Sequence, residues 1–143
     1  MNAQNGYDIE DLKPGMTASL AKTITDADII LFSAVSTDSN AVHLNEEFAK
    51  TTMFGGRIAH GMLSAGLISA VLGTRLPGPG CIYMGQTLKF KAPVRPGDTV
   101  TATATVKEVI LEKKRVVVET VCTIGGKVVT EGEATLMCSS KNG

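Results

Sequence analysis

From Val100 to Lys107 the chain alternates without a break, Val100, Ala102, Ala104 and Val106 apolar against Thr101, Thr103, Thr105 and Lys107 polar. A period of two marks a strand with one face on a core. The same pattern predicts strands over 82–90, 99–111, 115–124 and 127–137, with Gly125-Gly126 as a tight hairpin turn and Pro93, Pro96 and Gly97 separating the first two. Another strand, 17–22, follows a turn at Leu12-Lys13-Pro14-Gly15-Met16.

The intervening part reads as helical. Thr25 precedes Asp26 and Asp28 and then Ile29, Ile30, Leu31 and Phe32, which predicts a helix start with acids in its first turn and an end near Ser36. Asn45, Glu46, Glu47 and Lys50 predict a second, short helix, so the loop 37–44 is pinned at both ends. Residues 61–72 carry no charge on any face, which predicts a buried helix that stops at Gly73. Residues 1–10 are polar and predict a flexible tail before one domain over 11–143.

Helices followed by consecutive antiparallel strands imply an α+β arrangement, and a fully apolar helix needs a sheet that curls round it. A single hotdog fold, a curved antiparallel sheet wrapped around a central apolar helix, meets that need. Ala65, Gly66 and Ala70 on the helix would allow strands to approach closely. Composition agrees with one packed domain: 143 residues, 43% apolar and 20% charged.

Charge narrows the partners. Lys plus Arg and Asp plus Glu each number 14, so no net field draws the chain to nucleic acid or to an anionic membrane. With no signal-type apolar segment and no run of about 20 apolar residues, a cytoplasmic protein is expected. Cys81, Cys122 and Cys138 form no C-x-x-C pair and read as reduced thiols. His43 and His60 are the two histidines, and without a third ligand they predict neither a metal site nor a cofactor; His60 reads as structural.

Asp38 and His43 are the first candidates for chemistry. A carboxylate and an imidazole five residues apart in one short segment can converge on a single water, although the same spacing also suits a loop cap beside a surface histidine. Adding water to an enoyl thioester requires a base for the water, an acid for C2 and donors for the enolate oxygen. Gly61, at the start of the apolar helix, would supply a backbone N–H for the third task.

The run Ser36-Thr37-Asp38-Ser39-Asn40-Ala41-Val42-His43 resembles the hydratase 2 signature of the R-specific enoyl-CoA hydratases and MaoC-like dehydratases. Phe54 with Gly55 to Leu63, Leu76-Pro77-Gly78-Pro79-Gly80, and Lys89 to Asp98 resemble further blocks of that family, so the likeness covers most of residues 12–138. The resemblance implies Asp38 and His43 as the catalytic pair, Gly61 N–H as oxyanion donor and Asn45 as a water-orienting neighbour. It implies Ser69 and Leu72 as part of an acyl tunnel, with Arg57, Lys89 and Arg95 as candidates for CoA phosphates. Thr37 and Ala41 depart from the family's usual glycine and proline.

The implied reaction is syn hydration of a trans-2-enoyl-CoA to an R-3-hydroxyacyl-CoA, serving polyhydroxyalkanoate synthesis or fatty-acid oxidation, in a homodimer. Spacing does not assign base and acid within the pair, which titrates jointly; His43 as base and Asp38 as C2 acid is the order taken forward. A 3-hydroxyacyl-ACP dehydratase of fatty-acid synthesis and an inactive acyl-thioester-binding hotdog subunit are the alternatives.

Overall fold

In the computed structural model, which describes residues 1–143, the alternating segments form one antiparallel sheet. Its strands are β1 (Thr17–Thr23), β2 (Ile82–Gln86), β3 (Lys89–Phe90), β4 (Thr99–Ile110), β5 (Arg115–Ile124) and β6 (Lys127–Met137). They run in the order β1-β4-β5-β6-β2, with β3 also paired to β6. The helices are α1 (Asp26–Ser36), α2 (Ala41–Leu44), α3 (Glu46–Ala49) and α4 (Gly61–Thr74).

β4 buries Val100, Ala102, Ala104 and Val106 and turns its threonines to the other face. Val116 and Val118 of β5 and Ala134 and Leu136 of β6 continue the buried layer. Each fully buried Val or Leu contributes about 1.5–3 kcal/mol relative to exposure. Irregularities between Val106 and Glu108 and between Cys122 and Thr123 bend the strands, and α4 packs across β1, β4, β5 and β6. The result is the expected α+β hotdog arrangement. Gly125 and Gly126 take φ of 55° and 83°, as a two-residue hairpin turn of the primed type requires.

Where expectation and structure differ, local chemistry explains the difference. The strand expected over 82–90 divides after Gln86, because Thr87 presses on β6: a Cβ on Gly132 would lie 1.8 Å from the Thr87 carbonyl oxygen. α4 runs through Gly73 to Thr74 and ends ahead of Leu76-Pro77, where the residue before proline is driven out of helical geometry. Leu63, Ser64, Ile68, Val71 and Leu72 of α4 are buried, yet Met62, Gly66, Ser69 and Gly73 form an exposed stripe, so burial all round is not met within one chain. Gly66 faces open space and admits no strand.

Residues 1–10 are a further correction. Ile9 is fully buried and its N–H donates to Ser139 O (2.8 Å), while Tyr7 N–H donates to Pro77 O (2.8 Å). A short 3-10 turn, Ile9–Asp11, anchors the segment, and the Asp11 carboxylate pairs with both Lys141 and the N-terminal ammonium. Ile9 and the partly buried Tyr7, with these polar contacts, dock the segment.

Candidate active site

The helix start at α1 is locally determined. The Thr25 hydroxyl accepts the Asp28 N–H and the Asp28 carboxylate accepts the Thr25 N–H, closing a capping box. Lys22, 2.8 Å from Asp28, together with the Thr25 N–H holds the Asp28 carboxyl below its usual range. At its other end α1 stops on Thr37, whose φ of 65° and ψ of 7° are left-handed. Asp38 N–H then donates to Ser36 Oγ (3.1 Å), and Asn40 N–H to the Asp38 carboxylate (3.3 Å). Asp38 is exposed.

The loop expected over 37–44 is shortened by α2, whose first turn is capped by Asn40: Val42 N–H donates to Asn40 Oδ1 at 3.1 Å. His43 therefore stands on a helical turn and is buried, at 8% exposure. Its Nδ1 lies 2.8 Å from Ile58 O. A carbonyl oxygen only accepts, so Nδ1 carries a proton and Nε2 is the ring nitrogen left to take one from a substrate.

His60 joins this pair, a convergence that spacing did not reveal. It is the N-cap of α4 and is 2% exposed. Its Nε2–H donates to the backbone oxygen of Asp38 (2.9 Å), with Ser33 Oγ at 3.1 Å from the same nitrogen. Its ring stacks on His43 with centroids 3.8 Å apart and planes 27° apart. One ligand-type atom from each of Asp38, His43 and His60 lies within 4.8 Å of the others. Stacked imidazoles direct their lone pairs along nearly parallel planes, and His60 Nε2 is already committed, so the trio is not arranged as a chelate.

These groups open on a cavity of about 430 Å³ lined by Asp38, His43, His60 and Gly61. Gly61 is the first residue of α4, and no side chain caps that turn, which leaves first-turn amides for an anionic oxygen. Phe90 covers Gly61 so closely that a Cβ there would lie 2.7 Å from its ring. The remaining wall is mainly apolar, with Met53, Ile58, Met62 and Val94 prominent. Met53, Met62 and Phe90 are 93%, 55% and 54% exposed. Most of this wall lies in the segments 54–63 and 89–98 that carried the family resemblance, but no wall side chain was given a role from sequence, and Met53 lies outside both segments.

Other expected site residues are placed elsewhere. Asn45 Oδ1 accepts the Phe48 N–H (3.0 Å) and caps α3; it does not line the cavity. Ser69 and Leu72 do not share one environment: Ser69 lies on the exposed stripe and Leu72 in the core at 1% exposure, and neither lines the cavity. Three residues along a helix leave a 60° offset, enough to cross from solvent to core. Arg57 is committed internally, its Nε–H donating to His43 O (2.7 Å) and its guanidinium pairing with Asp26 (2.6 Å). Arg95 donates to Phe54 O. Lys89 lies off the cavity, whereas Lys91 lines it, 3.1 Å from Glu131.

A family model described as MaoC like domain matches residues 11–131. The chain is 64% identical over 132 residues to the (R)-specific enoyl-CoA hydratase of Rhodospirillum rubrum, covering 92% of each chain. Among solved structures, the unliganded R-hydratase PhaJ1 of Pseudomonas aeruginosa superposes with a TM-score of 0.89 at 45% identity, over 95% of this chain and 88% of that one. The (R)-hydratase of A. caviae involved in PHA biosynthesis gives 0.87 at 42% identity, over 90% and 98%.

Proposed function

The chain belongs to the MaoC-like domain family, and from that premise we propose how its cavity hydrates a 2-enoyl thioester. It is an R-specific enoyl-CoA hydratase, a hydro-lyase that adds water reversibly to trans-2-enoyl-CoA and yields R-3-hydroxyacyl-CoA. The observation that carries the residue assignment is the hydrogen bond from His43 Nδ1–H to Ile58 O, which leaves Nε2 facing the same cavity as Asp38 and Gly61.

In this mechanism the thioester oxygen sits at the first turn of α4 and accepts from Gly61 N–H, which stabilises the developing enolate. Water lies between Asp38 and His43. His43 Nε2 takes one water proton as the oxygen bonds to C3; the C2–C3 π pair moves to form the enolate, and C2 then takes a proton from Asp38. Proton transfer from His43 to Asp38 restores the pair, so the proton balance closes over one turnover. Both new bonds form on the face that the pair occupies, giving syn addition.

The product suits polyhydroxyalkanoate synthesis, as the A. caviae relative's description indicates for that protein, or fatty-acid oxidation. No helix is long and apolar enough to cross a membrane, and a cytoplasmic location, where CoA thioesters are available, is part of this proposal. A homodimer is part of the same proposal: β2 is an open sheet edge with Ile82, Tyr83 and Met84 exposed, and α4 carries its own uncovered stripe.

The test is the ultraviolet absorbance of trans-2-butenoyl-CoA mixed with the protein. It should fall with wild type and hold nearly steady with Asp38→Asn and His43→Gln, since acid–base groups supply about 10²–10⁴-fold in rate. No fall with wild type would remove the hydratase assignment, and an undiminished fall with both variants would remove the assignment of the pair. Light scattering on a sizing column would read the dimer, and Met84→Lys at the β2 edge should dissociate it.

A further inference from the structure

We propose that His60 is a positioning residue for hydration, holding Asp38 and His43 in mutual register; this rests on the hydratase mechanism above. Asp38 is tied to it through the backbone: His60 Nε2–H donates to the Asp38 carbonyl at 2.9 Å. His43 is tied to it through the ring, at 3.8 Å and 27°. The bond from His43 Nδ1 to Ile58 O fixes one point of that imidazole but not its plane. The His60 ring fixes the plane, and so the direction of the Nε2 lone pair.

His60 is itself held from two sides. Ser33 Oγ lies 3.1 Å from its Nε2, and the Phe32 ring packs at 4.7 Å with planes 53° apart. Both come from α1, whereas His60 caps α4 one residue before Gly61. One imidazole therefore links the helix before the catalytic pair to the helix that carries the oxyanion donor. Its Nδ1 is buried with no partner, a burial cost that an apolar ring of similar size would not carry. A filler for the core would be better served by Phe or Leu; an imidazole at this position is explained by its second nitrogen, which donates to Asp38.

The experiment compares His60→Phe, which keeps a flat ring and loses the donor, with His60→Gln, whose amide nitrogen can reach the Asp38 carbonyl. For trans-2-butenoyl-CoA, His60→Phe should lower kcat about 100-fold with KM within about twofold, and His60→Gln should recover kcat to within about tenfold of wild type. Should His60→Phe fail to fold by circular dichroism, His60→Asn, too short to reach Asp38, takes its place with the same expectation. Because the chain holds two histidines, long-range ¹H–¹⁵N spectra read the His43 tautomer directly: Nδ1–H in wild type and a mixture in His60→Asn, which removes the stacked ring that keeps His43 aligned with Ile58 O.

A donorless variant with wild-type kcat, a loss confined to KM, or a loss that His60→Gln does not relieve would overturn the positioning role while leaving the hydratase assignment intact. If wild type shows no hydration, the hydratase assignment falls and the spectra decide alone. A mixed His43 tautomer then upholds the coupling of His60 to His43, and an unchanged one overturns it.

Discussion

Arg57 Nε lies 2.7 Å from the backbone oxygen of His43, and the same guanidinium pairs with Asp26 at 2.6 Å, joining the first turn of α1 to the turn that carries the imidazole. Arg57 is 15% exposed whereas Asp26 is 63% exposed. The hydrogen bond to His43 thus counts for more than the ion pair, which solvent screens. Arg57→Met should cost about 1–2 kcal/mol in thermal unfolding and about tenfold in kcat through a displaced His43. Arg57→Lys should not restore activity, because a point charge cannot serve both partners of a planar fork. Asp26→Asn should change either quantity little. Had Arg57 instead bound a CoA phosphate, its loss would raise KM in a salt-dependent manner; such a result would defeat the structural role.

Thr37 sits at φ 65°, in the left-handed region that β-branched residues avoid. Its neighbour Asp38 depends on the turn it makes. Thr37→Gly should relieve about 1 kcal/mol, raising the melting temperature by roughly 2–4 °C for a domain of this size, with kcat equal to or above wild type. The resemblance noted from sequence, which has glycine here, receives a physical reason: the α1 C-cap must turn left-handed. Calorimetry with paired rate measurements checks both parts, and a lowered melting temperature would contradict the strain argument.

What could be read from the chain, and what could not, follows from the range of the interactions. The strands over 115–124 and 127–137 and the turn at Gly125-Gly126 were legible because alternation and turn chemistry are local. The start of α1 at Thr25 was legible for the same reason. His60 was not, since its partners Ser33, Asp38 and His43 are 27, 22 and 17 residues away and meet only when α1, α2 and α4 pack. The partners of Arg57 and Asn45 were not legible, because a cation and an amide look free in sequence until their backbone acceptor or donor is placed. The different burial of Ser69 and Leu72 is a matter of helical phase, which residue spacing alone leaves open.

Gly61 and Phe90 form a second testable pair. A Cβ at Gly61 would lie 2.7 Å from two atoms of the Phe90 ring and 3.2 Å from a third, so one of the two must move. Phe90 is 54% exposed and can swing toward solvent; Gly61→Ala should fold. Its amide, however, is shifted from the enolate oxygen, and loss of one oxyanion donor costs up to about 10²–10³ in kcat. Phe90→Ala alone should chiefly raise KM by opening the cavity wall. Combining the two should recover part of the kcat lost in Gly61→Ala, giving a non-additive double-mutant cycle. Strict additivity would mean that the two residues do not press on each other.

Buried thiols set a limit on alkaline stability. Burial raises the Cys122 thiol from its ordinary 9.0 to about 11, and burial, with smaller contributions from Cys81 and Asp8, raises Cys138 to about 12. Burial also raises Cys81. A raised folded value means that the unfolded chain releases its proton first. The stabilising contribution is whole below pH 9 and is lost as pH rises through 11 and 12, at up to about 1.4 kcal/mol per pH unit for each thiol. Denaturant midpoints taken every half unit from pH 8 to 11 should therefore fall with a slope that is shallower in Cys122→Ala/Cys138→Ala, whatever the cavity cost at neutral pH. The subtraction removes the lysines and tyrosines, which are common to both chains. Aromatic disulfide reagents at pH 8 should modify neither thiol before unfolding, because both are shielded as well as protonated. Rapid modification of Cys122 in the folded protein, or parallel pH slopes in the two chains, would show that these thiols are not held as the fold implies.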